Sequence, residues 1–219
     1  MACTQTLSGL VRDCAPSKGG VRAVYLANKD DVSAVTLTTS KITAITMNST
    51  AKFKKYAFAP QTASMTSDYQ VNDDNGTKFV QTQLAMIFNR MQTAARLEVV
   101  ALAQAEVVAI VQDNNGAYWF LGYDEGMTLS AGGGATGTAR ADRNGYNVTL
   151  NDNSNELPYE VLVGDGGVDL SAIVGSSPPV PFPVLSDRPP PVSGGGLLFY
   201  EIALRDISRK KTLSDALPE

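Results

Sequence analysis

The 219-residue chain contains no histidine, which removes the commonest general base and metal ligand at one stroke. A Ser-His-Asp or Cys-His nucleophile is therefore impossible, and carboxylates are what remains for acid–base work. Three acidic pairs occur, Asp30-Asp31, Asp73-Asp74 and Asp124-Glu125. Each sits beside turn residues, where solvated carboxylates are the ordinary finding, so none is expected to be catalytic. Cys3 and Cys14 are the two cysteines, and without histidine they cannot complete a tetrahedral zinc site of the usual nitrogen and sulfur kind. A short-loop disulfide would fit their spacing, but free thiols are the expected state of one isolated pair. No resident metal and no cofactor is expected.

Other segments imitate binding motifs. Gly132-Gly133-Gly134-Ala135-Thr136-Gly137 matches the glycine spacing of a dinucleotide loop, but that chemistry needs a strand before it and a helix opening after it. The next residues, Thr138 to Gly145, read as a strand and a turn, so the glycine run is expected to be a flexible loop. Asn151-Asp152-Asn153-Ser154-Asn155-Glu156 is oxygen-rich like a calcium loop, yet it lacks the central glycine and the carboxylate spacing of an EF-hand. A polar turn is expected there. Lys52, Lys54 and Lys55 interleave with Phe53, Tyr56 and Phe58, which on paper suits stacking of single-stranded nucleic acid. The net charge of −4 opposes that reading, because phosphate binding draws on a basic face. The run reads better as an arm that packs its aromatics on a neighbouring subunit.

The elements that would carry these residues are mostly strands. Val21 to Leu26 is rich in β-branched and aromatic residues. Ser33 to Met47 alternates with a break near Thr39-Ser40-Lys41, giving two short strands or one bulged strand. Asn48 to Asp74 has no clean period and reads as a long irregular arm. After the Asn75-Gly76 turn signal, Val80, Thr82, Leu84, Met86 and Phe88 share one face of a long strand, with Gln81 and Gln83 on the other, which Ala85 and Ile87 make partly apolar. The one convincing helix spans Ala94 to Gln104, with Thr93 available as its cap. Glu106–Gln112 and Ala117–Gly122 flank Asp113-Asn114-Asn115-Gly116 and form the best hairpin. Further strands are expected near Met127–Ser130, Thr136–Ala141, Tyr146–Leu150 and Pro158–Val163.

Composition changes near Gly175. Residues 1–174 read as one β domain, 175–196 as a Pro/Gly-rich linker, and 197–219 as a docking segment led by Leu198, Phe199 and Tyr200. No signal peptide and no apolar run of the roughly 18 residues needed for a membrane helix is expected. The chain is expected to be made in a cytoplasm, without membrane insertion.

The order of elements resembles the tail tube (major tail) proteins of long-tailed bacteriophages and their relatives in contractile injection machines. The similarity lies in Val80 to Arg96, in Ala109-Ile110-Val111-Gln112-Asp113-Asn114-Asn115-Gly116-Ala117-Tyr118-Trp119-Phe120-Leu121-Gly122, and in Thr136 to Ala139 with Asp142-Arg143-Asn144-Gly145-Tyr146. The resemblance implies an antiparallel β-sandwich or barrel with one flanking helix, and a non-enzymatic virion protein of the tail. Six copies would join edge strands into a ring, and rings would stack into a tube passing DNA, in contact with tape-measure and terminator proteins. Phe53, Lys54, Lys55, Tyr56 and Phe58 would then meet neighbouring subunits, as would Leu198, Phe199 and Tyr200, while Gln81 and Gln83 would face a wet lumen. Alternatives are a head-decoration or head–tail connector protein, and a carbohydrate-binding β-sandwich using Tyr118, Trp119 and Phe120 as a stacking platform.

Overall fold

The computed structural model describes residues 9–12 and 14–175. The chain divides into two units, Met1–Ser177 and Pro178–Glu219. Leu198, Phe199 and Tyr200, the docking segment 197–219, Cys3, and the linker beyond Gly175 lie outside the described residues.

The protein is mainly β, with two sheets and few helices. Strands β1 (Val21–Asn28), β2 (Val32–Thr38), β3 (Lys41–Met47) and β4 (Lys54–Tyr56) precede the long hairpin of β5 (Ala63–Asn72) and β6 (Thr77–Asn89). Helix α1 (Thr93–Leu102) leads into β7 (Val107–Asp113), β8 (Tyr118–Leu121), β9 (Thr128–Ala135), β10 (Gly145–Ser154) and β11 (Tyr159–Val161). A single turn, α2 (Leu170–Ile173), comes last. One sheet has the order β2-β3-β11-β8-β7-β1-β4 and the other β5-β6-β10-β9. Every neighbouring pair is antiparallel except β3 with β11.

The centre of the larger sheet is covered on both faces, which is why Ala23–Ala27 and Val107–Val111 are unbroken apolar runs. One face of β1 and β7 gives Val24, Leu26, Ala109 and Val111 to a cluster with Leu84, Met86, Val148 and Leu150 of the smaller sheet and Leu102 of α1. The opposite face gives Tyr25, Val108 and Ile110 to a second cluster with Ile42, Phe53, Phe120 and Val161. Burying each such large side chain contributes about 1.5–3 kcal/mol, so the two clusters together fix the domain.

Several sequence expectations are corrected by this arrangement. Asn48 to Asp74 is not an irregular arm: Lys54–Tyr56 pairs with β1, and Ala63–Asn72 pairs with β6 over its whole length. Phe53 is fully buried. Its N–H donates to Ile173 O at 2.8 Å, and its carbonyl accepts from Gly175 N at 2.9 Å. The glycine run is strand β9, not a loop, paired to β10 from Thr128 to Ala135. Gly134 lies opposite Tyr146, and a Cβ there would come within 2.8 Å of the Tyr146 ring and 2.9 Å of Met91 Cε. The aromatic ring covers the place a side chain would have filled.

Thr136–Ala141 is in turn a loop and not a strand. Asp142 organises it by accepting from Ala139 N at 2.7 Å, Thr138 N at 2.8 Å and Thr138 Oγ1 at 3.2 Å. Asn151 to Ser154 belong to β10 and not to a polar turn. Gln92, with no side-chain capping bond, holds the position before α1, so Thr93 is not its cap. The break near Thr39-Ser40 is a tight hairpin with both residues at positive φ, 50° and 65°, joining β2 to β3.

Candidate functional site

The alternation of β6 places Val80, Thr82, Leu84 and Met86 against the core, each fully buried, and Gln81 and Gln83 on the outer face of the smaller sheet. The ladder completes that face. Gln83 stands between Thr66 of β5 and Asn151 of β10, and Gln81 between Asp68 and Asn153. Thr149 lies beside Ala85 one step further on. The central surface thus carries amides and hydroxyls with one charged residue, Asp68, and the same outward row of β6 continues into apolar Phe79 on one side and Ala85 and Ile87 on the other. The amides and hydroxyls both donate and accept hydrogen bonds, and they supply neither a base nor an attraction to phosphates.

The face is bounded by two unpaired edges among the described residues, β5 and β9. Ile87 N donates to Thr62 O at 3.0 Å. In an antiparallel ladder the bonded pairs alternate, so Met65, Ser67 and Tyr69 direct their backbone groups away from β6 and toward the open edge. On the other side β9 is Thr-Leu-Ser-Ala-Gly-Gly-Gly-Ala, whose small side chains leave the backbone approachable.

The residues expected at subunit contacts are not brought together as an arm. Phe53 belongs to the second core cluster, and Lys54 and Lys55 lie exposed on β4. Tyr56 donates its hydroxyl to Glu98 of α1 at 2.9 Å. Burial first, and then that bond, hold the Tyr56 hydroxyl well above the usual phenol range. Tyr56 and Phe58 both pack on Phe88, with ring centroids 6.0 and 5.7 Å away. The aromatic platform dissolves in the same way: Phe120 is buried, while Trp119 and Tyr118 pack against opposite core clusters.

The remaining candidate for carboxylate chemistry is a cavity of about 170 Å³ lined by Tyr123, Asp124, Asp152, Glu156, Leu157 and Tyr159 among others. Its carboxylates have structural duties. Asp152 is 3% exposed, and its Oδ2 accepts from Gly122 N at 2.9 Å, tying β10 to the turn that leads into β9. Gly122 has φ +80°, and a Cβ there would lie 3.0 Å from Val107 O. Desolvation pushes Asp152 above the usual carboxylate range, and its Oδ1 has no protein partner. Asp124 accepts from Asn155 N at 3.0 Å. Glu156 accepts from the Tyr159 hydroxyl, which that bond raises to about 12. Among the described residues no group of three or more His, Cys, Asp or Glu is placed to hold a metal ion, and no helix is long and apolar enough to cross a membrane. Cys14 is an exposed free thiol.

Sequence reasoning found Gln81 and Gln83 but missed Asn151, Asn153 and Thr66 beside them. The alternation Val148-Thr149-Leu150-Asn151 was the signal available for β10. Comparison of the chain with protein-family models, with curated proteins and with solved structures finds no match.

Proposed function

We propose that the protein is a structural subunit that closes with copies of itself into a ring and stacks into a hollow tube, as in the tail tube proteins whose element order it resembles. The observation that carries the reading is the charge-poor outer face of the smaller sheet lying between two open edges. Its four strands alternate in direction. Because that number is even, β9 of one copy and β5 of the next run antiparallel under rotation about an axis along the strands. Repetition then gives one uniform antiparallel barrel without free edges. The two sheets pack as a β-sandwich in this reading, with the amide face turned to the lumen and the larger sheet outside. A wall rich in amides and hydroxyls, with no cation among its central residues, keeps its own water and does not hold a passing polyanion. Six copies per ring is the number the resemblance implies, and the tail of a virion is the location.

Electron microscopy of the purified full-length protein tests this, with rings or hollow tubes as the expected result. Tyr69→Pro removes a backbone N–H that points to the open edge, while the ladder to β6 keeps its bonds. The variant should fold with wild-type circular dichroism and form no rings. Rings of normal number and size from Tyr69→Pro would refute closure through β5.

A further inference from the structure

The two ends of the smaller sheet carry opposite charge. At one end lie the β5–β6 turn, the segment entering β9 and the segment leaving β10, which expose Asp73, Asp74, Asp124, Glu125 and Glu156. Lys78 is close by, and Lys29 is engaged with the Asp124 carbonyl. At the other end lie the exit from β6 and the β9–β10 loop, which expose Arg90, Arg140 and Arg143. The acid in that loop, Asp142, is held by three donors within the loop itself. Strand β6 links the ends with 13 residues, about 40 Å at 3.4 Å per residue. That exceeds a Debye length of about 8 Å at physiological salt several-fold, so the two ends of one copy do not neutralise each other.

Each end also exposes large apolar side chains. Tyr69, Val71, Tyr123 and Leu157 are 58%, 55%, 41% and 46% exposed at the acidic end. Tyr69 and Val71 continue the inward-facing row of β5 beyond the point where the core covers it. Met91 is 37% exposed at the basic end, just before α1 begins, and Leu97 is 57% exposed midway along α1. The partly acidic cavity holding Asp152, with its unpartnered Oδ1, opens among the acidic-end residues.

We infer that the acidic, apolar end of one copy docks head to tail on the basic, apolar end of a second copy, and that this contact stacks successive rings. It rests on the ring reading, since only a ring gathers like ends onto one rim. The partner is this same chain because it carries both complementary surfaces, at opposite ends of a sheet whose strands run between them. Heterologous contacts of this kind do not close but propagate, as a tube requires.

The test uses two full-length variants, Asp73→Lys with Asp74→Lys, and Arg140→Glu with Arg143→Glu. Each should keep the wild-type melting temperature and form rings, with tubes shortened at least tenfold in micrographs because the attraction between the two ends is cancelled. An equal mixture should restore long tubes, since the new lysines of one variant then face the new glutamates of the other. Tubes of wild-type length from either variant alone, or none from the mixture while rings are present, would overturn the inference and leave the ring reading standing. Absence of rings from the wild-type protein would overturn both.

Discussion

Replacing Phe53 with alanine separates two readings of one short run of sequence. If Phe53-Lys54-Lys55-Tyr56 were an arm reaching a neighbour, the substitution would leave the isolated chain as stable as before and weaken only assembly. The structure places the ring at 0% exposure, among Ile42, Ile110, Phe120 and Val161. Loss of a fully buried phenylalanine costs about 3–5 kcal/mol, from transfer and from the cavity left behind. With a urea slope of about 2.5 kcal/mol per molar for a domain of this size, the unfolding midpoint should fall by roughly 1.2–2 M. Trp119 lies on β8 of the same sheet and reports the transition by its fluorescence at low protein concentration. Phe53→Leu, close in volume, should lose less than about 1.5 kcal/mol. Lys54→Ala, on the exposed side of β4, should stay within about 0.5 kcal/mol of the parent. A Phe53→Ala midpoint within about 0.3 M of the wild type, with assembly lost, would refute the burial argument and restore the arm.

Two further perturbations probe the backbone and a buried acid. The β2–β3 turn sets Thr39 and Ser40 at positive φ, a geometry that Asn-Gly adopts without strain, so Thr39→Asn with Ser40→Gly should stabilise by about 1 kcal/mol, read as a higher melting temperature; an unchanged or lower value would show that the turn stores no strain. Burial raises the pKa of Asp152, so the folded protein keeps that proton to higher pH than the unfolded chain does. Its contribution to stability therefore falls as pH climbs from about 3.9, the unfolded value, through the folded value, and is level above it. Asp152→Asn, which preserves the acceptor for Gly122 N–H, should remove that decline, and an unchanged pH profile in urea titrations would refute it.

How much the sequence revealed depended on how local each signal was. The β7–β8 hairpin was legible because Asp113 closes its own turn, accepting from Asn115 N and Ala117 N at 2.8 and 2.9 Å, with Gly116 supplying φ 93°. Strand β5 was not legible, because its inward row is Ala63, Met65, Ser67 and Tyr69. An inward serine breaks the apolar alternation, and only the fold supplies its partner, the Thr82 hydroxyl at 2.9 Å on the neighbouring strand. The glycines of β9 have no strand preference of their own; β10 imposes the strand, and the Tyr146 ring covers the bare backbone at Gly134. The candidate site shows the same division. Gln81 and Gln83 follow from period two within β6, but their neighbours Thr66 and Asn151 reach them only through pairing with β5 and β10. A face built across strands is a property of register, and register here is set by the apolar rows on the opposite side of the same sheet. The residues that determine the amide face are therefore largely those of the core behind it. A one-residue slip of β6 would bury Gln81 and Gln83 and expose Leu84 and Met86. Any function of that face consequently depends on the packing of Leu84, Met86, Val148 and Leu150.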